Sequence, residues 1–189
     1  MPRMSYFGKM RAADQYVFLD NVPFRKNYFQ NRNRIGSTWL TVPVHTNGHL
    51  ESTIKEIQID NSNNWRRKYW GRIEDIYRHA PNFKLYGGEL KRIIDTPFKF
   101  LVNLNWNLIE FFRSVLGVNT PTLSATTLNV EGSKSELLYN ICKKLEADIY
   151  LSGPSGRNYL QNFNGIKVEY FDHEGPDPLA LDVIMRGKY

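Results

Sequence analysis

The chain of 189 residues is predicted to fold as an α/β domain, with a parallel or mixed sheet flanked by helices and a helical insertion in its middle. Three observations predict this. Compact apolar runs stand near both ends of the sequence. The stretch from Trp65 to Leu116 carries apolar residues at helical spacing almost throughout. In the last third, strand, helix and strand patterns alternate, which implies parallel crossover units. No repeat, low-complexity tract or linker divides the chain, so one domain over residues 1–189 is expected. A hydrophobic fraction of 41%, with 14% aromatic residues, excludes a disordered polypeptide.

Met4, Phe7 and Met10 recur at helical spacing and predict a short opening helix. Tyr16 to Asp20 is a compact apolar run ending in a carboxylate and reads as a buried strand. A polar, cation-rich loop from Pro23 to Ser37 is expected next, followed by a strand over Trp39 to Val44 with Pro43 near its end. Ile54, Ile57 and Ile59 read as a further strand. Trp65, Tyr69, Ile73, Ile76 and Tyr77 line one face of a helix that closes before Pro81, and a second helix carries Leu90, Ile93 and Ile94. The longest helix begins near Pro97, buries Leu101, Leu104, Leu108, Phe112, Val115 and Leu116, and stops at Gly117. Thr122 to Leu128 reads as a strand. Ser133 and Glu136 have the spacing of a capping box opening a helix with Leu137, Leu138, Ile141, Cys142 and Leu145 on its core face. Ile149 to Leu151 is a short strand entering the turn Ser152–Gly156, and Ile166 to Phe171 alternates as a final strand.

The single cysteine excludes an internal disulfide framework and a multi-cysteine zinc site. The N-terminus lacks the apolar core of a signal peptide, and no apolar run approaches the length of a membrane span. A cytoplasmic protein without membrane insertion is the expectation. The charge is unevenly placed. Arg3, Lys9, Arg11, Arg25, Lys26, Arg32 and Arg34 precede Ile35, opposed only by Asp14 and Asp20, so most of the net +6 lies in this stretch. Such a field attracts phosphate-bearing partners, whether nucleotides or nucleic acid.

The most informative segment is Asn31-Arg-Asn-Arg-Ile35. Two guanidinium forks one residue apart suit phosphate or carboxylate recognition, against the plainer reading of a solvated loop. In an extended segment Arg32 and Arg34 would point one way, and Asn31, Asn33 and Ile35 the other. Thr41, on the following strand, is grouped with these residues as substrate-binding. Asp20 stands at a strand end, where open α/β sheets place ligand groups, and could orient a hydroxyl or act as a base; an Asx turn is the alternative. Ser152 and Gly153 open a small-residue turn able to bring backbone amides near an anion, with Arg157 adding charge. That turn is neither a P-loop nor a nucleophile elbow. Cys142 reads as a small buried thiol, and His79 as a helix-end residue. His45 and His49 flank a turn rather than pairing on a helix, and Asp172-His-Glu174 reads as a surface cluster, so no metal site is expected. The sequence identifies no cofactor. Trp65-Arg-Arg-Lys-Tyr-Trp70 mixes bases and aromatics as nucleic-acid modules do, but on a helix Trp65 and Tyr69 would join the core and leave Arg66, Arg67 and Trp70 outside.

Taken together, Tyr6-Phe7, Val17-Phe-Leu-Asp20, Asn31-Arg-Asn-Arg-Ile35, Trp39-Leu-Thr-Val-Pro-Val44, Ile59-Asp60-Asn61, Trp65-Arg-Arg-Lys68, Gly132, Lys134 and Tyr150-Leu-Ser-Gly153 resemble the WbqC-like protein family in order and spacing. The family pattern usually opens with a strand and a Gln-Pro turn leading into a Leu-Pro-Trp-x-Gly-Tyr-Phe stretch. Met1 to Phe7 is expected to begin inside that stretch, with the first family strand absent from the sequence either because the start is placed late or because this copy lost it, and Asp172 to Leu179 is expected to replace a longer loop. The resemblance implies a role in bacterial polysaccharide (O-antigen-like) biosynthesis, with a group transferase acting on a phosphorylated or nucleotide-linked sugar as the leading expectation. In that reading Arg32 and Arg34 neutralise phosphate, Asn31 and Asn33 orient polar groups, and Asp20 is base or hydroxyl orienter. The alternatives are a non-catalytic binder of nucleic acid or another polyanion, and a degenerate family member that binds without turnover.

Overall fold

The computed structural model describes residues 1–45 and 52–187. In chain order the elements are α1 (Met4–Arg11), β1 (Tyr16–Phe18), β2 (Arg32–Ile35), β3 (Thr38–Thr41), a 3-10 turn (Ile54–Glu56), α2 (Trp65–Tyr77), α3 (Phe83–Asp95), α4 (Leu101–Leu116), β4 (Thr122–Ser124), α5 (Ala125–Leu128), α6 (Lys134–Lys144), β5 (Ile149–Ser152), a second 3-10 turn (Pro154–Asn158), β6 (Lys167–Tyr170) and α7 (Ala180–Arg186). Helices accompany small parallel and antiparallel sheets, so the fold is mixed α/β. The chain divides into two compact units. The first comprises Met1–Met4, Pro23–Val118 and Pro178–Tyr189; the second comprises Ser5–Val22 and Asn119–Asp177.

The first unit holds the helical insertion. The apolar stripes of α2, α3 and α4 bury Trp65, Tyr69, Ile73 and Tyr77, then Leu90, Ile93 and Ile94, then Leu101, Leu104, Leu108, Phe111 and Phe112. Gly117 closes α4 at φ 65°, the left-handed conformation that a side chain disfavours. The last helix, α7, packs on α3 and α4 and buries Leu181, Ile184 and Met185. Two polar contacts lock it. The Tyr77 hydroxyl donates to Asp182 Oδ1 at 2.6 Å, and the Asn82 amide donates to the Ile184 carbonyl at 2.9 Å.

The second unit is built on two parallel strand pairs. Strand β1 pairs with β4, placing Tyr16 beside Thr122 and Phe18 beside Ser124, and β5 pairs with β6, placing Ile149 beside Lys167 and Ser152 beside Tyr170. Parallel strands need covering helices. Ala125, Leu137 and Ile141 form a buried cluster against which Val17, Leu19, Val22, Leu128 and Leu145 pack. With a side-chain period of two, Val17 and Leu19 take this face of β1, so Tyr16 and Phe18 take the other. Tyr6 of α1 stands on that opposite face, its ring 5.6 Å from that of Tyr16.

Several expectations are corrected. Arg32–Ile35 is a strand, not part of a loop, and forms a hairpin with β3 through Gly36, at φ 53°. A glycine at the first central position matches the twist of the flanking strands. No continuous strand spans Ile54 to Ile59: a 3-10 turn occupies Ile54–Glu56, held by the Glu56 carboxylate accepting from the Thr53 amide and hydroxyl, and only single bridges follow at Gln58 and Ile59. The strand at Thr122 ends at Ser124, whose side chain accepts from the Thr126 amide and turns the chain into α5. Ser133 stands at the N-cap of α6 but its side chain makes no capping bond, and Lys134 takes φ 50°, so the capping box does not form. Trp70 is buried and stacked on Phe83, with ring centroids 5.9 Å apart, instead of facing outward.

Candidate functional site

In the first unit, the β2–β3 hairpin sorts its residues by parity. Asn31, Asn33, Ile35, Leu40 and Val42 are buried on one face. The cross-strand pairs Arg32–Thr41 and Arg34–Trp39 share the other face, where Arg34, Trp39 and Thr41 are exposed and Arg32 is half-buried. The Arg32 guanidinium lies over the Trp39 ring, 4.4 Å from its centroid, and its buried Nε has no hydrogen-bond partner among the described residues. A guanidinium on an indole gives up little hydration and keeps its outer N–H groups available in the ring plane. Arg72 of α2 anchors the strand by donating to the Trp39 carbonyl at 2.6 Å. The result is a solvent-facing plane with two forks, one indole and one hydroxyl. This arrangement can neutralise a phosphate while offering an aromatic surface to a ring.

The two asparagines face away from that plane. The Asn31 amide donates to the Val42 carbonyl at 3.0 Å, and Asn31 Oδ1 is buried without a partner among the described residues. Asn33 donates to the Met1 carbonyl at 2.6 Å and accepts from the Arg34 amide at 2.7 Å. Both side-chain NH2 groups are spent on backbone carbonyls, which fixes the path of the strand carrying the arginines.

The remaining predicted residues lie in the second unit. Asp20 is 9% exposed; one carboxylate oxygen accepts from the Ser124 hydroxyl, the other from the Thr126 amide at 2.9 Å. It thereby supplies a negative charge at the start of α5. Two donors leave further lone pairs on the carboxylate. Ser152 is 1% exposed and donates to the Gly153 carbonyl at 3.0 Å. The Tyr150 hydroxyl shares a hydrogen bond with Ser152, and burial above all pushes that phenol well above its usual range. The turn after Ser152 is drawn tight, because a Cβ at Gly156 would fall 2.0 Å from Ser152 Oγ. Arg157 is occupied: its fork meets both Asp172 oxygens, at 3.0 and 2.7 Å, and lies 4.3 Å from the Tyr170 ring centroid. The hydrogen bond from Arg157 holds the Asp172 carboxyl below its ordinary value. The structure thus unites Arg32, Arg34 and Thr41 on one face, and places Asp20, Ser152, Gly153 and Arg157 in the other unit.

Sequence reasoning missed Trp39 as a member of the basic face. The signal was present, since Gly36-Ser37 between two extended segments marks a two-residue hairpin that would have paired Arg34 with Trp39. Among the other singled-out residues, Cys142 is buried and its thiol is pushed up to about 11. His45 Nε2 lies 4.0 Å from Asp60, whereas His49 lies outside the described residues. Among the described residues no group of three or more His, Cys, Asp or Glu is placed to hold a metal ion. No helix among them is long and apolar enough to cross a membrane.

Compared with known proteins, residues 1–177 match the model of the WbqC-like protein family. The chain belongs to the WbqC-like protein family. This WbqC-like protein is also similar to the uncharacterized protein Rv1507c of Mycobacterium tuberculosis, with 31% identity over 184 residues covering 93% of this chain and 79% of that one. No solved structure matches the WbqC-like chain. The matched span contains the basic hairpin and every predicted site residue.

Proposed function

We propose that this WbqC-like protein is a transferase-type enzyme of bacterial polysaccharide biosynthesis that acts on a phosphorylated or nucleotide-linked sugar. The observation that carries the reading is the hairpin face, on which Arg32, Arg34, Trp39 and Thr41 stand together. A sugar phosphate needs two complementary features from its binder. Planar N–H forks match the phosphate oxygens, and a flat aromatic surface with a nearby hydroxyl suits a base or sugar ring. Fixed donors of this kind stabilise charge that develops on a phosphate or carbonyl oxygen during group transfer. In this proposal Asn31 and Asn33 hold the strand in register, and Thr41 offers a hydroxyl to the ligand. Asp20, whose carboxylate is held in place by Ser124 and Thr126 in the second unit, is a separate candidate for a base or hydroxyl orienter. The cytoplasm, where activated sugars are made, is the compartment we assign.

The test is a thermal-shift screen of nucleotide sugars and sugar phosphates against the wild type and Arg34→Ala. Stabilisation of the wild type by at least one ligand, lost in the variant, supports the reading. Equal shifts in both proteins, or none in either, overturn it. The same samples weigh the polyanion alternative, which requires affinity falling steeply with salt over several phosphates. The burial of Trp65 and Trp70 favours the small-ligand reading, because the aromatics of the basic helix are unavailable for stacking on bases.

A further inference from the structure

A second cationic centre lies in the other unit, independent of the hairpin and of the reading built on it. Tyr6 and Lys9 are three residues apart on α1, a spacing that sets both side chains on one face of a helix. That face meets Tyr16 of β1. The Lys9 ammonium stands 5.6 Å from the Tyr16 ring centroid, and the Tyr6 and Tyr16 side chains share a hydrogen bond. Tyr150 of β5 is near enough to Tyr16 to interact with it electrostatically. Among the described residues, Lys9 has no carboxylate partner, and its ammonium stands over the Tyr16 ring. Lys9, Tyr6 and Tyr16 are each half-buried, so the cluster is withdrawn from bulk water without being sealed.

A half-buried ammonium without a counter-charge is costly, and proteins ordinarily give such a group a carboxylate. Here a ring face supplies only part of that compensation. We propose that the missing counter-charge is a ligand: Lys9, standing over the Tyr16 ring, binds an oxyanion, either a carboxylate or a phosphate monoester. The desolvation of both groups agrees with this placement. Burial lowers the Lys9 pKa, as it must when no anion offsets desolvation, and an arriving oxyanion would raise it again. Burial also raises the Tyr16 phenol to about 12, so near neutral pH it remains a neutral hydroxyl rather than a competing anion. A lysine that merely lies along the Tyr16 ring with its tip in solvent would bind nothing.

The test uses the full chain with its lysines reductively methylated with 13C. The Lys9 resonance is identified by its absence in Lys9→Arg, and is then followed during titration with inorganic phosphate and, separately, acetate at constant ionic strength. A saturable shift with either anion is expected, accompanied by a rise in the Lys9 pKa. Phosphate alone points to a phosphate monoester, acetate alone to a carboxylate, and each supports the site. The Lys9 titration should be unchanged in Arg34→Ala, which separates this centre from the hairpin, and anion binding measured by calorimetry should fall about tenfold in Lys9→Gln, as for loss of one charged hydrogen bond. If the wild-type Lys9 resonance responds to neither anion, or responds identically to chloride, the proposal is overturned.

Discussion

Substituting Gly156 with alanine should be far more damaging than its exposed neighbours in the turn would indicate. The new Cβ would lie 2.0 Å from Ser152 Oγ, 2.9 Å from Leu160 Cδ1 and 3.1 Å from Ser152 Cβ. Leu160 Cδ1 is the far end of a flexible side chain and can move aside. Ser152 is 1% exposed and bound to Gly153 and Tyr150, so it cannot swing away without leaving buried polar atoms unpaired. Overpacking costs about 1–3 kcal/mol and a stranded buried hydroxyl about 1–3 kcal/mol, against about 0.4–1 kcal/mol gained from a less flexible unfolded chain. The expected net loss is about 3 kcal/mol. Urea unfolding followed by near-ultraviolet circular dichroism measures it, alongside the rate at which Cys142, in the same unit, becomes accessible to a thiol reagent. Tryptophan fluorescence would be a poor reporter, because all four tryptophans belong to the first unit. The double variant Ser152→Ala with Gly156→Ala removes the worst contact and should recover about half of the loss. A single variant within about 0.5 kcal/mol of wild type would refute the account of the turn.

Other outcomes follow from the same contacts. Arg34→Ala should leave stability within about 0.5 kcal/mol of wild type by thermal unfolding, since its side chain is exposed, so any loss of ligand binding in that variant is a binding effect. Asp20→Ala should cost about 2–3 kcal/mol by removing charge-assisted bonds at the start of α5, whereas Asp20→Asn keeps one acceptor and should lose about half as much, making it the variant to use in activity assays. With its thiol pushed from 9.0 up to about 11, Cys142 should react with iodoacetamide at pH 8 about 100-fold more slowly in the native protein than after unfolding, on thiolate fraction alone. Because the Asp172 pKa is lowered in the folded protein, its pairing with Arg157 is fully present above the unfolded value of about 4 and is lost as pH falls through the folded value. Arg157→Ala should therefore flatten the acid limb of the stability–pH curve, and an unchanged limb would contradict the pairing.

The parts of this fold that could be read from sequence are those in which apolar residues mark the buried face. Helix α4 shows its stripe from Leu101 to Leu116 and ends at Gly117 as the pattern requires. Strand β2 is hard to see because the buried positions just before it and early in it are Asn31 and Asn33, whose amides bond to backbone, leaving Ile35 as its one apolar buried residue. Alternation was present, but in polar residues, and a hydrophobicity pattern does not register it. Trp70 was misplaced for the opposite reason. Helix α2 buries a face wide enough to take both Tyr69 and Trp70, because Phe83 at the start of α3 stacks on the indole, and that neighbour is a tertiary fact. The Ser133 spacing satisfied a local rule that the chain overrides by placing Lys134 at positive φ. Among the candidate functional residues, the common orientation of Arg32 and Arg34 needed only the two-residue strand period. The engagement of Arg157 by Asp172, fifteen positions away, needed the folded turn.

The interleaved assignment of the polypeptide to its units has a consequence for biosynthesis. The first unit draws on the opening residues, the central stretch and α7, while the second takes the intervening segments. During translation the central helices leave the ribosome long before α7 can cover their apolar surface with Leu181, Ile184 and Met185. The nascent chain must therefore carry that uncovered surface until α7 has emerged, a state in which chaperone capture competes with self-association.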